Sequence, residues 1–366
     1  MVHEPQPRRP AISRLLEPLT VGIDIGGSKV LAGVLNGRGQ VLERIRRDTP
    51  TKSPEEVEDA IVAIVRELGS RHPIGAVGIG AAGFVDAARA SVLFSPHLAW
   101  RNEPLRDALW VRLRLPIVVD NDANAAAWAE SHFGAGVGRR HLLCITLGTG
   151  IGGALVLDGR LFRGANGMAG EFGHMQVVPG GHRCECGNRG CWEQYASGNA
   201  LVRDARELIV ARSPVAHYLR ELVEGDADRL TGPMVSEAAR HGDPAAIELI
   251  TEVGNWLGTG LAGLTAAFDP DCIVVGGGVS EAGDLLLEPA RESFSRTLTG
   301  RGFRNPPPIM PAFLGPDAGF IGAAELARSA ARRSRRSRRS RRRGMRARSG
   351  RPLRGGQRST RVTSNE

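Results

Sequence analysis

Lysine is nearly missing from this chain: Lys29 and Lys52 are the only two among 366 residues. Basic chemistry therefore falls to arginine, as a GC-rich genome would produce. Long apolar runs are missing too. No stretch reaches the roughly 18 apolar residues that a membrane span requires. The opening M-V-H-E-P-Q-P-R-R-P is polar and proline-rich, without the apolar core of a signal peptide. A cytoplasmic protein with no membrane association is expected. Cysteine is sparse, five residues in all, yet three of them crowd between positions 184 and 191.

Glycine is plentiful, 48 residues clustered in loops beside apolar runs, the habit of nucleotide-binding α/β proteins. The length leaves room for two domains and a large core. The net charge of +9 hides an asymmetry. From Arg328 onward there are 16 arginines and one acid, a charge of +15, which leaves −6 for the first 327 residues. The run R-R-S-R-R-S-R-R-S-R-R-R is of low complexity and reads as disordered. Counterion release would let it bind nucleic acid nonspecifically, but it lacks interleaved aromatics and a folded reader.

Hydrophobic spacing orders the rest. The stretch Leu19–Lys29 begins a strand and turns on glycines, with Asp24 and Ser28 at the turn, then continues into a strand at Val30–Leu35, with a third at 40–46. A helix is expected over Pro54–Leu68, capped by Ser53 and stopped by Gly69. Strands follow at 76–80 and 116–119 with a helix at 104–114 between them. The second strand runs straight into Asp120-Asn121-Asp122 at the start of an alanine-rich helix. Polar groups at such a strand end sit where open α/β sheets place ligands. Leu142–Leu147 meets G-T-G-I-G-G and a further strand, 154–157. This is a hairpin, since a dinucleotide fingerprint would need a helix next. Its N–H groups and the Thr149 hydroxyl either face phosphate or simply turn the chain. Helices follow near 198–211, 235–241 and 244–268. Cys272–Gly278 is a buried strand ending in glycines, an adenosine-binding turn or a tight strand–helix turn. A helix at 283–298, a strand at 309–313 and a last helix at 317–331 complete the order.

Cys184, Cys186 and Cys191 with His174 make a Cys₃His set within 18 residues, which suits tetrahedral zinc. Gly187 and Gly190 let a tight turn wrap the ion. Buried thiols or a disulfide are the other readings. Four protein ligands close the site, so the zinc is expected to be structural. Cys144 and Cys272 lie inside apolar strands and read as core.

Three glycine turns, each after a strand, together with an acid at a strand–helix junction suggest phosphoryl transfer. That chemistry relies on N–H groups and Mg²⁺ holding phosphates while a base takes the acceptor's proton. Asp122 fits the base; an N-cap aspartate fits the same spacing. Asp24, beside the first turn, fits a water-mediated Mg²⁺ ligand or a turn former.

These segments, in this order, resemble the ROK family (repressors, open reading frames, kinases), and within it the zinc-containing bacterial glucokinases. The resemblance covers about 19–330. It rests on D-I-G-G-S-K at 24–29, G-A-A-G-F-V-D at 80–86, N-D-A-N-A-A-A-W at 121–128 and L-G-T-G-I-G-G at 147–153. E-F-G-H at 171–174, C-E-C-G-N-R-G-C-W-E at 184–193 and V-G-G-G-V at 275–279 complete it. It implies an actin-like ATPase (ribonuclease H-like) fold, two α/β domains around a cleft that closes on sugar, with ATP, Mg²⁺ and Zn²⁺. It further implies Asp122 as the base acting on the 6-hydroxyl of glucose. Asn121, Glu171, His174 and Glu193 correspond to ligands of the other hydroxyls, with Gly83 lining the pocket. Gly26, Gly27, Ser28 and Lys29 match the first phosphate segment, Thr149 and Gly150 the second, Gly276 and Gly277 the adenosine motif. Ser28 replaces a common threonine and Asp120 a usual glutamate; each keeps its chemistry.

The expected organisation is a leader at 1–18, a small α/β domain at 19–120 joined by the last helix, 317–331, and a large one at 121–316. The latter carries the zinc segment 168–193, and a disordered tail covers 332–366. A kinase for N-acetylglucosamine, N-acetylmannosamine or fructose is one alternative, and a sugar-responsive regulator using the basic tail is another. Family regulators carry a winged helix before the first motif, and 23 residues before Asp24 are too few for one. Polyphosphate donors belong to relatives without the cysteine motif, which favours ATP. A dimer or tetramer is expected.

Overall fold

The computed structural model describes residues 18–50, 53–96 and 98–349, with the backbone alone from 335 onward. Most of the expected leader, and the tail beyond 349, lie outside these residues. Two five-stranded sheets carry the architecture. The first runs β3 (Val41–Asp48), β2 (Lys29–Leu35), β1 (Leu19–Ile25), β4 (Ile74–Ala81) and β8 (Ile117–Asn121). β1 to β3 form an antiparallel meander, and β4 and β8 continue parallel to β1. The second sheet runs β11 (Arg160–Phe162), β10 (Ile151–Leu157), β9 (Leu142–Leu147), β12 (Cys272–Gly276) and β13 (Ile309–Pro311). It repeats the pattern: an antiparallel trio, then two parallel strands.

Burial follows sequence. Central β1 fully buries Val21, Ile23 and Ile25 on one face, while Thr20, Gly22 and Asp24 take the other. Edge strand β3, V-L-E-R-I-R-R-D, alternates half-buried and exposed. Helix α1 (Pro54–Arg71) buries Val57, Ile61, Ile64, Val65 and Leu68. Ser53 caps it as expected, its hydroxyl accepting from Glu56 N at 3.3 Å. Gly69 does not end it; the helix runs through to Arg71, and His72 is extended. The stop is Pro73, which forces the residue before it out of helical conformation.

A row of glycines crosses the first sheet, where Gly22 pairs with Gly33 on one side and Gly78 on the other. The final helix, α9 (Ala318–Ser349), lies on this row so closely that a Cβ on Gly22 would sit 1.8 Å from Phe320 O. α9 was expected to end at 331 and give way to disorder, but it stays helical through Ser349. Arginine is a good helix former, and no glycine interrupts the run before Gly344. Among the described residues, those up to Arg328 form one compact unit and those from Ser329 another.

Between the sheets runs α3 (Asp122–Phe133), whose Ala125, Ala127 and Ala129 are fully buried. Cys144 and Cys272 fill core with Ala154, Val156 and Val274, as expected. Among the short pieces that escaped sequence reading are strand β11, the helix His217–Leu222, and a small sheet of β5 (Phe84–Val85), β6 (Val92–Phe94) and β7 (Arg101–Glu103). Among the described residues no helix is long and apolar enough to cross a membrane.

Candidate active site and zinc centre

The parallel strand β8 ends in the residues that start α3. Asn121, not Asp122, is the N-cap: its Oδ1 accepts from Asn124 N at 3.0 Å. Its Nδ2 donates to Gly83 O at 3.2 Å, tying in the chain after β4. Gly83 is in a conformation side chains avoid (φ +150°), and a Cβ there would lie 2.3 Å from Phe94 O. Asp122 is therefore the first residue of the helix and not its N-cap, and its Oδ1 accepts from Ala123 N at 2.9 Å.

Asp24 lies within β1, paired with Leu31 and Gly80, so it is not a turn former. Gly80 stands between the two acidic residues: a Cβ on it would be 3.5 Å from both Asp24 Oδ1 and Asp122 Cα. Burial, then the charge of Asp122, raise the Asp24 carboxyl from 3.8 to about 7. Glu171 follows Gly170 (φ +109°) at the entrance to a short 3₁₀ turn, Phe172–His174. Its side chain reaches solvent, yet surrounding protein, then Asp122, then Glu193, raise it to about 7. Asp24 and Glu171 thus each feel Asp122, and Glu171 also feels Glu193, so the four acids form a row of neighbours.

The glycine turns are each held by specific contacts. Gly26 N donates to Lys29 O at 3.0 Å and Thr49 Oγ1 to Gly26 O at 2.8 Å, leaving Ser28 and Lys29 exposed between them. In the second turn Gly148 N donates to Gly150 O at 3.0 Å, and Thr149 is exposed. The third turn packs on the second: Gly277 (φ +88°) would place a Cβ 2.4 Å from Leu147 O. Gly276 closes against Ala312, where a Cβ would sit 3.0 Å away. A Cβ on Gly150 would meet Glu193 Oε2 at 2.5 Å, so the acid row and the glycine hairpin meet at Glu193.

The cysteine segment converges as well. The donor atoms of His174, Cys184, Cys186 and Cys191 all lie within 4.8 Å of one another. Cys184 Sγ is 3.5 Å from His174 Nδ1, and Cys186 Sγ is 3.6 Å from Cys191 Sγ. Tetrahedral donors about 2.3 Å from zinc lie roughly 3.7 Å apart, so this set fits the ion. All five cysteines are free thiols, which removes the disulfide reading. Gly187 (φ +95°) and Gly190 (φ +75°) make the turns, and Gly190 N donates to His182 O at 2.8 Å. Glu193 Oε1 lies 3.3 Å from His174 Nδ1 and 3.1 Å from Cys184 Sγ, so it touches the cluster as well as the hairpin.

Sequence reasoning points to Asp120 but not to its partner, Arg163. Asp120, 2% exposed, is gripped by Arg163 through three contacts of 2.6 to 3.2 Å and by Arg89 at 3.0 Å. One arginine among 46 carries no mark in the sequence.

Paired five-stranded sheets around a central cleft, with acids facing glycine turns, define a sugar kinase on the actin-like ATPase fold. The ROK family pattern matches residues 20–330, and the chain belongs to that family. It is 48% identical over 310 residues to a glucokinase of Streptomyces coelicolor, covering 85% of this chain and 98% of the relative. The crystal structure of a ROK family glucokinase from Streptomyces griseus, in complex with glucose and AMPPNP, superimposes with a TM-score of 0.79. That chain is 50% identical, with 85% of this chain and 99% of that one covered. A xylose repressor of Caldicellulosiruptor bescii is 31% identical over 293 residues, 78% of this chain and 72% of the repressor.

Proposed function

We propose that this chain is an ATP-dependent glucokinase that phosphorylates the 6-hydroxyl of glucose. The observation that carries the reading is the place of Asp122 in the first turn of the helix that Asn121 caps, a carboxylate whose charge reaches both Asp24 and Glu171. The glucose- and AMPPNP-bound Streptomyces griseus glucokinase, at 50% identity, supports the substrate pair.

In this reading Asp122 accepts the proton of the 6-hydroxyl as its oxygen attacks the γ-phosphorus. Asn121, Glu171, His174 and Glu193 bind the remaining hydroxyls, fixing the sugar's orientation, and Gly83 lets the backbone approach it. The turns at Gly26–Lys29 and Thr149–Gly150 present N–H and hydroxyl donors to the phosphates, and Gly276–Gly277 takes the adenosine. Asp24 would hold Mg²⁺, which would neutralise phosphate charge and draw the Asp24 pKa back down. Zinc on His174, Cys184, Cys186 and Cys191 would supply rigidity, holding the backbone either side of Glu171 and Glu193. The lobes of residues 19–120 and 121–316 close on the sugar to exclude water. The enzyme works in the cytoplasm as a dimer or tetramer.

A coupled assay with ATP against glucose, mannose, fructose, N-acetylglucosamine and N-acetylmannosamine tests the substrate. Glucose should have the highest kcat/KM. A clear preference for another hexose would replace the substrate while keeping the reaction class.

A further inference from the structure

We propose that Arg163 is a positioning residue that sets Asp122 and Glu171 relative to each other; the inference rests on the reading that these two acids act on the sugar. Arg163 directly follows edge strand β11 of the second sheet. Its carbonyl accepts from Ala169 N at 3.0 Å, closing the loop that delivers Glu171 two residues later. Its side chain reaches the last strand of the first sheet. There Nε lies 3.2 and 3.1 Å from Oδ1 and Oδ2 of Asp120, and an Nη atom 2.6 Å from Oδ2. Asp120 stands two residues before Asp122. It also accepts from Asn121 N at 3.1 Å and from Asn124 Nδ2 at 3.2 Å, so it grips the first turn of α3. One arginine thus holds both acid-bearing segments, by its backbone on one side and its guanidinium fork on the other.

A buried ion pair is a poor source of stability, because desolvation offsets the attraction. The planar fork gives direction instead, which an ammonium does not. Arg89 Nε sits 3.0 Å from Asp120 Oδ2, so Asp120 keeps a cationic partner when Arg163 is replaced. The substitution should therefore leave a folded chain with misplaced acids.

The test is steady-state kinetics of Arg163→Gln and Arg163→Lys in the full chain, with glucose and ATP varied separately. Glucose titration without ATP, melting curves, and a cycle with Asp120→Asn complete it. Arg163→Gln should lose roughly 10²-fold in kcat/KM for glucose, the scale of an ångström-sized misplacement. KM for ATP should stay within about twofold, and glucose binding without ATP should weaken alongside. Arg163→Lys should recover only part of the loss. In the Asp120→Asn background the same change should add little, because the two residues act as one unit. Unchanged glucose kcat/KM, additive losses in the cycle, or equal losses for ATP and glucose with a large fall in Tm would overturn the assignment. Asp122→Asn judges the role of Asp122 separately, and the binding titration does not depend on catalysis, so the two failures are distinguishable.

Discussion

Asp122→Asn separates the base from the cap. Because Asn121 Oδ1 already accepts from Asn124 N at 3.0 Å, the substitution removes a charge and leaves the helix start intact. The usual penalty of about 1 kcal/mol for losing a cap should not appear. Two neighbours should respond. Asp122 contributes to the raised pKa values of Asp24 and Glu171, each about 7, so both should fall toward ordinary carboxylate values. Removing a like charge should leave Tm unchanged or slightly higher. General-base catalysis contributes roughly 10²- to 10⁴-fold, or about 3 to 5 kcal/mol of barrier, and kcat should drop by that factor. Calorimetric titration should find glucose Kd within about tenfold of wild type, since an amide of the same shape still hydrogen-bonds the hydroxyl. Turnover within about threefold of wild type would remove Asp122 from the role, because no general base is worth so little. Lost glucose binding with the fold intact would make it a binding residue instead.

Cys184→Ser should lose metal, melting temperature and glucose affinity together, with a stability loss of about 3 kcal/mol or more at saturating metal. A metal-free preparation with normal Tm and turnover would refute the staple. Asp24 keeps its proton to about 7 when folded, against 3.8 ordinarily, so the folded state binds the extra proton between those values. Its contribution to stability is therefore greatest below about pH 4 and is lost as pH rises toward 7. Asp24→Asn should gain stability relative to wild type across that window without nucleotide, and a flat difference in denaturant midpoints would contradict it. Gly22→Ala must push a Cβ into Phe320 O, 1.8 Å away, and should cost about 2 to 3 kcal/mol or more. A loss below about 0.5 kcal/mol would show that the final helix does not press on the glycine row.

Much of this was legible in the chain. Helix α1 and its cap, the return strand expected at 154–157 and the cysteine cluster each follow from local spacing and donor chemistry. The errors share a cause, which is a local rule overruled by a neighbour. Gly69 looked like a stop, but Pro73 ends the helix. The serine–arginine run looked disordered from 332, but arginine carries the helix to Ser349. Spacing could not tell which residue caps the helix, since Asn121 and Asp122 are both good caps; the hydrogen bond from Asn124 N to Asn121 Oδ1 assigns the cap to Asn121. The link between Asp120 and Arg163 joins residues 43 apart across two sheets, and nothing in either neighbourhood announces it.

The central claim is tested most directly by ³¹P NMR of the product formed from glucose, ATP and Mg²⁺. A single new phosphomonoester, coupled to the C6 protons and formed in step with ADP, is the predicted result. Phosphate on another carbon, or inorganic phosphate alone, would contradict the account.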